Sequence, residues 1–291
     1  MTEQKKYQSI TRYGKSNNEI TARGNIVVWE KIDGANASFQ RVGEEIKTFS
    51  RTIELTGEDG LGGFRKWVLN NIDVNKLEEG FIYFGEWINR HKIDYGENEK
   101  KFFFYDVYDT NRELYLDIDV IYSEAELLGL ELAPIFYEGE FISEEHLQSF
   151  VGKSMLAVNG VGEGIVVKNY GYVDKHGNQH FTKIVSKAFQ EISGVKVKEM
   201  KGKPDIVNQF IENTVTPARI EKMLFKLVDE GKLGEDFAIE DMGTILKLLG
   251  NSVFEDVMKE EADVLHKAVA SRFGKVVPTK VRETLMNMGR A

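Results

Sequence analysis

Asn25-Ile26-Val27-Val28-Trp29-Glu30-Lys31-Ile32-Asp33-Gly34-Ala35-Asn36 is the stretch on which the reading of this chain turns. Residues 25–31 are rich in β-branched and aromatic side chains, the composition of a strand. That strand ends on a lysine, and Gly34 permits a tight turn just after it. A second strand-like segment, residues 35–42 (ANASFQRV), begins at once. Taken alone, Lys-x-Asp-Gly is a weak pattern, and an ordinary surface turn explains it.

Further strands are predicted over 45–51, 81–88, 101–109, 164–169 and 180–187, several of them alternating apolar and polar residues. Helical signals lie between them. Ser123 with Glu126 has the spacing of a capping box, Ser143 is placed to cap a helix running through Phe150, and residues 64–72 form a third candidate. Strands and helices do not alternate regularly, so the expected class is α+β with mainly antiparallel sheet.

After Pro204 the apolar period becomes helical. Thr216-Pro217 marks a helix start, with Ile220, Met223, Leu224, Leu227 and Val228 on one face and Gly231 at the end. A helix carrying Met242, Ile245, Leu246 and Leu249 is expected to stop at Gly250. The next is expected to run from Ser252 to Gly274, and Pro278 to open the last. The predicted division is residues 1–203 and a small all-α domain over 204–291.

With 291 residues and 42% hydrophobic content the chain can bury a substantial core. No stretch is apolar enough for a membrane span and the first residues lack a signal-peptide core, so a soluble, cytoplasmic protein with no membrane partner is expected. The sequence has no cysteine, which excludes disulfides, thiolate nucleophiles and cysteine-bound metals, and its five histidines show no metal-ligand spacing. A metal must then rest on carboxylates, water and substrate phosphate, as Mg²⁺ or Mn²⁺ does. The net charge of -9 argues against nonspecific coating of nucleic acid. The lysines at 183, 187, 196, 198, 201 and 203 form a local basic run, read as a solvated surface in preference to a phosphate track.

The Lys31 pattern gains weight from an ordered series of later segments: Ser50-Arg51, Gly85-Glu86-Trp87, Phe104-Tyr105-Asp106, Glu163-Gly164-Ile165-Val166-Val167-Lys168, then Thr182-Lys183 with Phe189. This series resembles the ordered motifs of the covalent nucleotidyltransferases, which include polynucleotide ligases and capping enzymes. Residues 6–10 (KYQSI), Gly34-Ala35-Asn36 and Phe189-Gln190-Glu191 look most like the nick-sealing RNA ligase 2 family of T-even phages. The resemblance spans residues 5 to about 191. It implies a nucleotidyltransferase (ATP-grasp-like ligase) domain on antiparallel sheets, followed by a helical domain.

It also implies an activity and a set of roles. The expected protein is an ATP-dependent RNA ligase that joins 3′-OH and 5′-phosphate ends through a lysyl-AMP intermediate, with Mg²⁺ or Mn²⁺ as cofactor. Its partners would be the ends of nicked duplex RNA or RNA/DNA hybrids; a monomer is expected, and a phage source would fit. Lys31 matches the nucleophile, which attacks phosphorus only as a free amine, so a lowered pKa is expected of it. Lys168 and Lys183 match cations for the phosphate charge that develops. Glu163 matches a catalytic, metal-binding carboxylate. Glu30, Asn36, Arg51, Glu86 and Tyr105 join the three lysines as nucleotide-binding positions, Tyr105 as the aromatic that stacks on adenine and Glu86 as the ribose ligand.

Two positions depart from the pattern. Asp33 stands where phage RNA ligases often have histidine, and with the aspartate the motif reads as it does in DNA ligases and many other superfamily members. Val185 stands where a second basic residue often follows Lys183; either Lys187 substitutes for it or the spacing of this motif differs. A DNA ligase and an inactive end-binding module are the competing readings; the helical C-terminal region disfavours the first, and the joint presence of Lys31, Glu86, Glu163, Lys168 and Lys183 disfavours the second.

Overall fold

In a computed structural model the described residues are 5–14, 19–22, 24–57, 59–89, 91–186, 189 and 206–288. Lys187, and the basic run beyond it at 196–203, lie outside the described residues. The chain separates into two compact units, Met1–Phe189 and Gln190–Ala291.

The first unit contains strands β1 (Thr11–Arg12), β2 (Asn25–Lys31), β3 (Ala35–Val42), β4 (Glu45–Ser50), β5 (Phe81–Trp87), β6 (Phe102–Asp109), β7 (Leu114–Tyr115), β8 (Glu131–Leu132), β9 (Ile135–Glu140), β10 (Gly164–Val173) and β11 (Gln179–Val185). Among the described residues they form two sheets. One has the order β1-β11-β10-β2-β9; the other runs β4-β3-β5-β6-β7, with β8 beside β6. Pairing is antiparallel except where β1 meets β11 and β8 meets β6. The class is therefore α+β on antiparallel sheets.

Alternation along β2 explains how the first sheet is used. Val27, Trp29 and Lys31 lie on one face, and Ile26 and Val28 on the other, because successive side chains point oppositely. The first face meets the second sheet in a large core with Val166, Tyr170, Phe181 and Phe84. The other face packs Ile26, Val28, Ile165 and Val167 against Leu147. Leu147 belongs to helix α4 (Glu144–Gln148) and reaches its place because Ser143 caps that helix, accepting a hydrogen bond from the His146 backbone at 3.1 Å. The helix stops at Gln148, two residues before the expected Phe150.

The other helices of this unit are α1 (Glu19–Ala22), α2 (Phe64–Asn71) and α3 (Ile118–Leu128). Helix α2 buries Phe64 and Val68 on the far side of the second sheet. The capping box predicted at Ser123 is not present. Helix α3 starts at Ile118, and Ser123 sits inside it, its hydroxyl donating to the Asp119 carbonyl one turn back at 2.9 Å.

The second unit is helical: α5 (Ile206–Thr214), α6 (Pro217–Asp229), α7 (Met242–Leu249) and α8 (Ser252–Asn287). Thr216 caps α6 by accepting from the Arg219 backbone, and Gly250 follows the last residue of α7. Met223, Leu227, Val228, Leu233, Ile245 and Leu249 form its core. Arg219 is fully buried there and pairs with Asp256 and Glu261. The predicted break at Gly274 and the new start at Pro278 do not occur, since α8 runs through both for 36 residues.

Candidate active site

Register brings the lysine at the end of β2 to the acidic motif. Gly164 pairs with Lys31 across β10 and β2, so Glu163 emerges beside the lysine. The Lys31 Nζ lies 2.5 Å from Glu163 Oε2, and both side chains are mostly covered, 23% and 15% exposed. Burial by itself pushes the Lys31 ammonium down, but the Glu163 carboxylate, with Glu86 and Asp33, outweighs it and holds the group above its ordinary value. The lowered pKa expected of the nucleophile is therefore not found; the facing carboxylate keeps the proton on. Burial likewise pushes the Glu163 carboxyl up, against the pull of Lys31 and Lys183.

Lys183 pairs with Val166 on β10, and Val166 with Trp29 on β2, so Lys183 shares the sheet face that carries Lys31. From the facing sheet come Asn36 and Glu86, which are cross-strand partners. Glu86 is half-buried near Lys31, Glu163 and Asp33; burial, opposed by Lys31 and Arg51 and reinforced by the Glu163 and Asp33 carboxylates, pushes its carboxyl up to about 8. Arg51, just past β4, is exposed and close enough to act electrostatically on Glu86 and Tyr105.

Tyr105 reaches the site through an irregularity. Phe84 pairs with Asp106 while the next residue, Gly85, pairs with Phe104, leaving Tyr105 as the extra residue of a β-bulge. Bulges re-aim side chains in this way. A side chain at position 85 would meet the Phe102 ring at 2.3 Å and the Phe103 carbonyl at 2.6 Å, so the glycine is needed for that close approach. The Tyr105 hydroxyl accepts a hydrogen bond from Asn36 Nδ2, while Asn36 Oδ1 is buried without a partner among the described residues. A buried acceptor of that kind suits a ligand donor.

Two predicted residues stand apart from this group. The Glu30 side chain accepts from the Ser154 hydroxyl and from the Met155 backbone at 2.8 Å, on the face of β2 opposite to Lys31. Lys168 is on the Lys31 face but pairs with Val27, and its ammonium is buried against Asp106 at 2.8 Å. Asp33, the departure from the phage pattern, is engaged by a loop: its carboxylate accepts from the Lys92 backbone at 2.7 Å, and its own N–H donates to the Tyr95 hydroxyl at 2.8 Å.

Sequence reasoning gives no role to Tyr7 and Tyr170. Both hydroxyls donate to Asp106. Local pattern carries no signal for either, because the partner lies 99 and 64 residues away.

Among the described residues no three potential ligand side chains gather into a metal cluster. The available donor is the Glu163 carboxylate, a hard oxygen ligand in the company of Glu86. That set fits an ion completed by water and substrate phosphates, as Mg²⁺ commonly is.

A family profile described as RNA ligase matches residues 24–185. No curated protein matches the chain. Among solved structures, a variant of Naegleria gruberi RNA ligase with ATP and Mn is 18% identical, with a TM-score of 0.52 over 62% of this chain and 56% of that one. The same ligase with PPi is 19% identical, with a TM-score of 0.51 over the same shares. Another variant, with AMP and Mn, is 18% identical with a TM-score of 0.51, again over 62% and 56%. The likeness is one of fold, and this chain spans little more than half the length of those ligase chains.

Proposed function

The chain belongs to the RNA ligase family, and from that membership we propose that it is an ATP-dependent RNA ligase that adenylates itself on Lys31 and joins a 3′-OH to a 5′-phosphate. The observation that carries the reading is the meeting of Lys31 with Glu163 on adjoining strands inside the matched stretch. Lys31 Nζ attacks the α-phosphorus of ATP, the bond to the departing pyrophosphate breaks, and the amine gives up its proton. Glu163, at 2.5 Å, is the group placed to take that proton. Lys183 on the same face is the cation for the phosphate oxygens. Tyr105 and Asn36 hold the base, and Glu86 and Arg51 the sugar and the strand end. Glu163 would also hold Mg²⁺ or Mn²⁺, which when bound neutralises triphosphate charge. The helical unit is assigned the clamp on a nicked duplex.

The test has two arms. Incubation with α-labelled ATP is expected to give an acid-labile, base-stable adduct that both Lys31→Ala and Lys31→Arg abolish, the arginine because it stays protonated. Nicked duplexes are expected to seal faster with ribonucleotides on the 3′-OH side than as all-DNA, since sugar geometry on that strand aligns the attacking hydroxyl. Equal rates would reassign the enzyme to DNA.

A further inference from the structure

We propose, resting on the ligase reading, that Lys168 serves the base and not the phosphates: its ammonium is a fixed positive charge behind Tyr105 that strengthens that ring's hold on adenine. Lys168 pairs with Val27, four residues before Lys31 on β2, so its place on the sheet is about 13 Å along from the nucleophile. Its side chain is 2% exposed. Four rings surround the Nζ, with centroids at 4.6 Å for Tyr105, 4.9 Å for Trp29, 5.2 Å for Phe181 and 5.8 Å for Tyr170.

The charge is pinned from below. Nζ donates to Asp106 Oδ2 at 2.8 Å and to the Tyr105 carbonyl at 3.3 Å. Asp106, which is fully buried, also accepts from the Tyr7 and Tyr170 hydroxyls, so its oxygens are committed. Extension toward a phosphate would strip an ion pair in a dry pocket, leaving a buried carboxylate uncompensated.

Stability does not account for such a pair, because a buried ion pair is no more stabilising than apolar side chains of its volume. Its effect on Tyr105 does account for it. An aromatic face carries negative charge density, and a cation over one face draws that density toward itself. The other face then repels the electron-rich face of a purine less. Asn36 fixes the same ring at its hydroxyl, so the platform is held at both its edge and its back.

The test begins with the native protein. Lysine-labelled protein is titrated with adenosine and, separately, with pyrophosphate, following the ring-shielded Lys168 ammonium by NMR. Adenosine is expected to shift the resonance and pyrophosphate to leave it in place; a response to pyrophosphate alone overturns the proposal. The charge is then removed as a pair in Lys168→Met/Asp106→Asn, with folding checked by melting. The KM for ATP in self-adenylation is expected to rise about tenfold with kcat changed less. That rise is expected to vanish in a Tyr105→Leu background, because the cation acts through the ring. A fall in kcat at unchanged KM, or an effect independent of Tyr105, overturns it. Absence of lysyl-AMP in the unmodified protein would remove the ligase reading itself, whereas labelling with an adenosine-insensitive Lys168 removes only this inference.

Discussion

Glu86 shares its half-buried position with Lys31, Glu163 and Asp33, and its carboxyl moves from an ordinary 4.5 to about 8. The folded state thus binds a proton more tightly than the unfolded chain. Its contribution to stability is fully present below pH 4.5 and is lost as pH rises through 8. The melting temperature is expected to fall by a few degrees across that window, and Glu86→Gln to flatten the fall. Melting scans at fixed ionic strength check this, and a slope unchanged in the variant would place the titration elsewhere. Self-adenylation is expected to climb with pH through and beyond this range, since the Glu163, Glu86 and Asp33 carboxylates hold the Lys31 ammonium above its ordinary value and the free amine is the attacking form. A second residue-scale outcome concerns Gly34, where a Cβ would lie 2.9 Å from both Glu86 Cγ and the Trp87 carbonyl. The carbonyl cannot yield. Gly34→Ala is expected to cost roughly 1–3 kcal/mol in urea unfolding and, by displacing Lys31 or Glu86, to slow adduct formation on the order of a hundredfold.

At the scale of elements, most strands are legible either because apolar and polar residues alternate, as in β3, or because aromatic and β-branched residues concentrate in a short run, as in β5. What local pattern misses has a common cause. Ser123 carries the spacing of a cap, yet that spacing occurs equally well within a helix, where its hydroxyl bonds one turn back. Tyr105 can be placed in a strand, but its aim depends on a bulge set by the partner strand. The charge state of Lys31 depends on Glu163, 132 residues away. Helix α8 illustrates the opposite error, in which glycine and proline pass for punctuation. Pro278 removes the amide that would have bonded to Gly274 and its ring crowds that carbonyl, yet the helix continues past it. Pro278→Ala is therefore expected to slow amide exchange around residues 274–282. Global melting is expected to move little, because Phe273, Val277, Val281 and Leu285 on this segment are exposed. Unchanged exchange in the variant would mean that the missing bond weakens nothing.

At the scale of the molecule, each unit has a core of its own, and the residues matched to the family lie in the first. A fragment ending at Lys203 is expected to form the AMP adduct at close to the full chain's rate and to seal nicks at least tenfold more slowly, on the order of what a lost positioning contact costs. Comparable sealing by both would take the clamp role from the helical unit. The first sheet has a further consequence. Thr11 and Arg12 lie beside Thr182 and Lys183, and β2 lies between β9 and β10, so the earliest strands are closed by the latest. At translation rates of roughly 5–20 residues per second, a ribosome takes about 10–35 s to deliver the 171 residues separating Thr11 from Thr182. For most of that interval the Ile-Val-Val-Trp run of β2 waits for β9 and β10, a sticky strand edge on a nascent chain. In the cell, a stalled or prematurely terminated message would release a product for chaperones and proteases to clear.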